Sequence, residues 1–223
     1  MKFFIKKMIN KIIQIVRHER LSFAVIAIFR KFSEQLLGRG QAWLLGWHRG
    51  YLGPGSRVIG SRHISVGDRA YINHNAWIEA VHAFRGQVFT PAIHIGQGFS
   101  ASDRLHISCV NQIAIGDHCL FGSGIYISEH NHGAYQGEIQ SPPTQAPVDR
   151  ALVSLGAVNI GSNVWLGDNV VIIGPVTIGN GAVVGANSVV KRDIPENVIM
   201  AGTPMRLIRQ FDNQTGTWKK YEH

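Results

Sequence analysis

The sequence predicts an all-β solenoid of short parallel strands, and three observations predict it. From Ile160 an aliphatic residue recurs at every sixth position: Ile160, Leu166, Ile172, Ile178, Val184 and Val190. The fifth position of each hexad is small or aliphatic, namely Val164, Val170, Val176, Ala182, Ser188 and Ile194. The second position is glycine at Gly161, Gly167, Gly179 and Gly185, with Ile173 and Lys191 as the exceptions. Neither a 3.6-residue helical period nor a two-residue strand period produces this pattern. Strands that turn a corner every six residues do. The aliphatic points inward, the small side chain fills the tapering interior, and glycine is expected to permit the bend. Three hexads close a triangular coil of about 18 residues, and coils stack as parallel strands about 4.8 Å apart.

The elements follow in chain order. Residues 1–57 read as a basic amphipathic helical segment, in which Phe4, Ile5, Met8, Ile9, Ile12, Ile13, Ile15 and Val16 stand at mostly helical spacing among lysines. Residues 58–200 carry the solenoid, about six coils in all. Its earlier hexads slip: Val66, Ile72 and Ile78 keep the step of six, as do Ile95, Ala101, Ile107 and Ile113. A new register starts at Ile115 and runs through Phe121 and Ile127, and an excursion covers roughly 82–92. Residues 131–156, which include "SPPTQAP", hold no hexad and must leave the coil as a protruding loop. Residues 201–223 read as a short C-terminal helix and tail that close the open end of the stack.

Composition narrows the function. Of 223 residues 45% are hydrophobic and 16% charged, which supports a sizeable core and argues against global disorder. The net charge of +8 is uneven: residues 1–62 hold 12 Lys and Arg against Glu19 and Glu34, a balance of +10, and the remainder sums to −2. A basic apolar segment of this kind suits peripheral contact of residues 1–45 with an anionic membrane, and no pattern for nucleic acid appears elsewhere. The apolar run Phe23–Phe29 is short of the roughly 20 residues that span a bilayer, and no small-residue cleavage site follows it. The expectation is a cytoplasmic protein at the inner face of the bacterial membrane. Cys109 and Cys119 lack metal-ligand spacing and read as reduced thiols.

The stretches "YISEHNHG", "SPPTQAPVDR", "IGSNVWLGDNVVIIGPVTIGNGAVVGANSVV" and "IPENVIMAGTP" resemble the hexapeptide-repeat acyltransferases. The likeness covers most of the chain beyond residue 60 and is nearest to the bacterial lipopolysaccharide and capsule O-acetyltransferases. It implies a left-handed parallel β-helix, a homotrimer with active sites between subunits, and acetyl-CoA as co-substrate. The hand comes from the resemblance alone, because ordinary crossovers favour the opposite one. The implied acceptor is a sugar hydroxyl of O-antigen or capsule, or of a lipid-linked glycan precursor.

The resemblance also assigns roles. His130, fourth in the hexad from Ile127 and last before the loop, would be the general base, a task suited to imidazole. Glu129 would orient its ring, although strand alternation points Glu129 elsewhere. His132, on the same strand face as His130, would be a substrate-binding group. The backbone amide of Asp168 would donate to the oxyanion, with Trp165 walling the cleft. Gly185 and Ala186 leave room for the pantetheine arm, and Lys191, Arg206 and Arg209 would bind the coenzyme phosphates. Asp103 falls where an acidic residue lies near the acceptor. The transfer needs neither a covalent nucleophile nor a metal. Two rivals remain: a γ-class carbonic anhydrase-like zinc site, and a non-catalytic sugar- or partner-binding solenoid. For the first, His82 and His118 are 36 residues apart, but Ser123 stands where a third ligand is needed.

Overall fold

In a computed structural model, the protein is described from residue 21 to residue 221; the predicted helix before Leu21 lies outside the described residues. One helix, α1 (Leu21–Leu44), precedes a chain made of short strands. The strands form three large sheets, which the chain visits in rotation. Sheet 1 holds nine strands, beginning at Tyr51–Leu52 and passing through Tyr71–Ile72, Ser100–Ala101, Leu120–Phe121, Trp165–Leu166, Val183–Val184 and Val198–Gly202. Sheet 2 holds six: Arg57–Ile59, Trp77–Ala80, His106–Cys109, Tyr126–Ser128, Val171–Ile173 and Val189–Val190. Sheet 3 holds five, from Ile64–Val66 to Val176–Ile178. The pairings between coils are parallel, and the six strands of sheet 2 agree with the expected coil count.

The hexad reading carries over side chain by side chain. Every first-position aliphatic from Ile160 to Val190 is buried, and so is every fifth-position residue from Val164 to Ile194. The coil length is 18 only in the later half, where Leu166 pairs with Val184 and Ile172 with Val190. Earlier coils take 20, as Leu52 with Ile72 and Ile95 with Ile115 show. The extra pair lies between sheets 2 and 3, which explains the register slip at Ile113 and Ile115. Both excursions leave at this same corner.

The second-position glycines have a different reason from the one expected. Gly161, Gly167, Gly179 and Gly185 are absent from the left-handed residues; the turns instead use Asn163, Asn169 and Asn187, at φ of 59°, 57° and 59°. Glycine is needed there because the next coil lies against it. A Cβ on Gly167 would stand 2.6 Å from the backbone nitrogen of Ala186.

Two boundaries differ from expectation. The first coil opens at Tyr51, ahead of residue 58, because Tyr51 and Leu52 already pair with Tyr71 and Ile72. The expected C-terminal helix is a β-hairpin: Met205–Asp212 and Thr217–Lys220 extend sheet 1 antiparallel. After Gly202 the chain reverses onto the last parallel strand, whose unpaired edge offers a row of hydrogen-bonding groups. Met205 and Leu207 then pack against the core.

Candidate active site

Two corners of the coil carry the residues singled out in the sequence. The corner between sheets 1 and 2 stacks His74, Asp103, Ser123, Asp168 and Ala186 from one end towards the other. Asp103 Oδ1 accepts the amide of His74 at 3.1 Å. Asp168 Oδ1 accepts the amide of Ser123 at 2.7 Å, and the Asp168 carbonyl accepts Asn187 N–H at 2.8 Å. The Asp168 carboxylate is therefore occupied in holding the coil beneath it. Its own N–H meets no partner among the described residues. Gly122, which sequence reasoning passed over, keeps that amide clear, since a Cβ at 122 would stand 2.7 Å from Asp168 N. On the same corner, the His74 ring joins Asp103 to α1: Nδ1 is 3.4 Å from Asp103 Oδ1 and Nε2 is 3.7 Å from Glu34 Oε2.

The corner between sheets 2 and 3 carries Glu129 and His130. The strand Tyr126–Ser128 ends before Glu129, so the alternation that would have turned its side chain away is broken. Instead the buried carboxylate sits beneath the corner. Its Oε1 accepts the amides of Val110 at 2.7 Å and Asn111 at 2.5 Å, and its Oε2 lies 2.8 Å from His130 Nδ1. Burial pushes the Glu129 pKa up, but the His130 ring and the two amides outweigh it and hold it below 4.5. The ionised carboxylate places a proton on His130 Nδ1 and leaves Nε2 as the acceptor nitrogen. Only 9% of the His130 side chain is exposed, so it is less outward than the hexad position implied.

His130–His132 pairs antiparallel with Leu152–Ser154, and this ribbon roots the protruding loop. His132 is exposed on the same ribbon face as His130, with its ring edge-on to Phe84 at 5.4 Å. Arg150, another residue the sequence did not flag, is buried inside the loop. Its guanidinium donates to the Gln145 carbonyl at 2.8 Å and to the Tyr135 hydroxyl at 2.8 Å, and Tyr135 donates to the His132 carbonyl at 2.6 Å. From the first excursion, Gln87 exchanges two hydrogen bonds with the Leu152 backbone.

At the other end, Trp165 is exposed on the outer side of sheet 1, in one row with Leu120, Val183, Ile199, Arg209 and Lys220. A bulge opposite Ile199 and Met200 brings Arg206, paired with Ala201, to the same side as Arg209. Lys191 is exposed but follows the last strand of sheet 2, and so stands on the His130 corner. The three cations therefore share one end of the stack, Arg206 and Arg209 on the side of sheet 1 and Lys191 after the last strand of sheet 2. Gly185 and Ala186 lie one coil beyond Gly167 and Asp168.

The zinc rival loses its geometry. His82 follows a sheet 2 strand while His118 is in the turn from sheet 3 to sheet 1, so they share no face. Among the described residues no three His, Cys, Asp or Glu side chains are arranged so that they could hold a metal ion. Cys109 and Cys119 are buried free thiols, and burial pushes both pKa values up.

Comparison with known proteins agrees with this architecture. Residues 157–192 match the family described as bacterial transferase hexapeptide (six repeats). The chain is 38% identical over 128 residues to the provisionally named lipopolysaccharide biosynthesis O-acetyl transferase WbbJ of Escherichia coli K12, covering 57% of this chain and 65% of that protein. It is 35% identical over 150 residues to the galactoside O-acetyltransferase of the same strain, covering 65% of this chain and 66% of that protein. The matched part thus spans just under two thirds of these relatives' length. Among solved structures, a galactoside acetyltransferase in complex with coenzyme A matches with 30% identity and a TM-score of 0.53, over 71% of this chain and 72% of that one. The N-acyltransferase AntD of Bacillus cereus shares the fold, with a TM-score of 0.61 at 18% identity over 79% and 90% of the two chains. The repeat, its buried hexads and these likenesses together identify the chain as a member of the hexapeptide-repeat transferase family.

Proposed function

We propose that this protein is an acetyl-CoA-dependent O-acetyltransferase acting on a sugar hydroxyl of a bacterial surface polysaccharide or its lipid-linked precursor. The observation that carries the reading is the Glu129–His130 pair, an imidazole whose Nδ1 is engaged by a buried carboxylate at 2.8 Å. His130 Nε2 takes the proton of the acceptor hydroxyl as its oxygen attacks the thioester carbonyl of acetyl-CoA. The Asp168 N–H donates to the oxyanion of the tetrahedral intermediate. Collapse breaks the carbon–sulfur bond, and the imidazolium returns its proton to the departing thiolate. The products are the O-acetyl sugar and coenzyme A. Glu129 stabilises the imidazolium while it lasts.

One chain does not complete this site. The Asp168 corner and the His130 corner flank sheet 2, and three extended residues, Tyr126–Ser128, separate them by on the order of 10 Å. A general base must come within about 3 Å of the proton it takes. A second copy supplies the opposite corner, as in the homotrimer of left-handed coils that the family resemblance implies. In that arrangement Arg206 and Arg209 from one wall and Lys191 from the other face the coenzyme phosphates, Trp165 lines the cleft, and Asp103 lies at the acceptor end.

A second reading has its own observation. The His132 ring is exposed where His130 is mostly covered, which fits it to meet the acceptor hydroxyl directly. Acetylation of galactoside and surface-glycan acceptors by His130→Ala and His132→Ala separates the two. The base variant loses turnover by about 100- to 10,000-fold, while the other retains most of it. Wild-type protein that forms trimers but binds no acetyl-CoA would refute the transferase reading itself.

A further inference from the structure

Helix α1 is built inside out. Its positions toward the coil are small: Ala24 and Ala42 are fully buried, and a Cβ on Gly38 would collide with the Tyr51 ring. Its large side chains face away. Val25, Phe29, Phe32, Leu36 and Trp43 each keep between 60% and 73% of their surface in solvent. At about 100° per residue these five fall within roughly 60° of arc. Ile26, Leu37 and Leu44, also exposed, widen the arc to roughly 140°, and no charged residue falls inside it. Arg30 borders one edge and Arg39 the other.

A contiguous apolar face of this size marks a contact surface. Charge selects the occupant. The arc is edged by arginines, and residues 1–62 carry a balance of +10, so a second copy of the segment would bring like charges together. An anionic lipid surface instead satisfies both the apolar arc and the basic balance of the segment, with the arginine stems against the acyl boundary and Arg30 keeping its ion pair with Glu34 at 3.6 Å. No helix among the described residues is long and apolar enough to cross a membrane.

We propose that the outward face of α1 lies in the interface of an anionic bilayer, with the Tyr51 end of the coil turned toward lipid. The Arg206 and Arg209 end then points away from it. This inference stands independently of the acetyl-transfer reading.

Flotation of the full-length protein with vesicles tests it, comparing pure phosphatidylcholine with vesicles holding roughly a third phosphatidylglycerol. Recovery with the anionic vesicles is expected to be at least about tenfold higher, and to fall about tenfold in Phe29→Glu/Leu36→Glu. Both positions are exposed, so the variant keeps its melting temperature; Phe29→Leu keeps binding. Equal recovery on both vesicle types would overturn the proposal, as would undiminished flotation of the double variant. So would a drop in oligomeric mass in that variant, because the face would then be an interface between copies.

Discussion

At the residue scale, the proposed chemistry rests on the pairing of Glu129 with His130. A carboxylate buried beside two amides and an imidazole stays ionised because those donors outweigh the burial. Its pKa is lowered on folding, so its contribution to stability is fully present above about pH 4.5, the ordinary value, and is lost as pH falls through the folded value. The stability difference between wild type and Glu129→Gln should therefore be constant near neutrality and close below about pH 4.5, as thermal melts at stepped pH would read. Glu129→Gln should also cut turnover by about 10- to 100-fold with acetyl-CoA affinity unchanged, since the imidazolium loses its counter-charge. The sequence offered Glu129 as the residue that would orient His130, against strand alternation, but not what holds its carboxylate in place. His130 could be picked from its place before the loop, but the amides that hold Glu129 come from Val110 and Asn111, a full coil away. Arg150 was hidden for a similar reason: its partners Gln145 and Tyr135 are close in sequence, but the loop has no periodicity that predicts burial.

At the element scale, the hexad made the coil legible because it records which side chains enter a narrow core. It misassigned the role of its glycines, which depends on the next coil's backbone rather than on their own turn. Gly167→Ala should cost about 1–3 kcal/mol in denaturant unfolding, since the Cβ meets Ala186 N directly. The C-terminal strand was misread because Met205, Ile208 and Phe211 keep a spacing that suits a helix as well. What settles the matter is the open edge of the last coil, a tertiary fact. Beyond its rooting ribbon and the single 3-10 turn Pro147–Asp149, the protruding loop is held by Arg150 and Gln87. Arg150→Ala should speed chymotryptic cleavage at exposed Tyr135 about tenfold while the coil's melting temperature moves little.

At the scale of the whole molecule, the proposed chemistry draws on two corners that stand apart in one chain, so the proposal requires a neighbouring copy to bring them together. His130→Ala and Arg206→Ala/Arg209→Ala protomers, each inactive alone, should recover about a quarter of wild-type activity when co-assembled in equal amounts, because each site takes one wall from each chain. No recovery would put both walls in one protomer. Docking through α1 would add orientation to this assembly, placing the Asp103 end of the clefts nearer the bilayer than the coenzyme end. The measurement that bears most directly on the central claim is acetyl transfer by folded His130→Ala, taken beside its affinity for acetyl-CoA. The account predicts affinity within about twofold of wild type and turnover lower by about 100- to 10,000-fold. Turnover equal to wild type would contradict it.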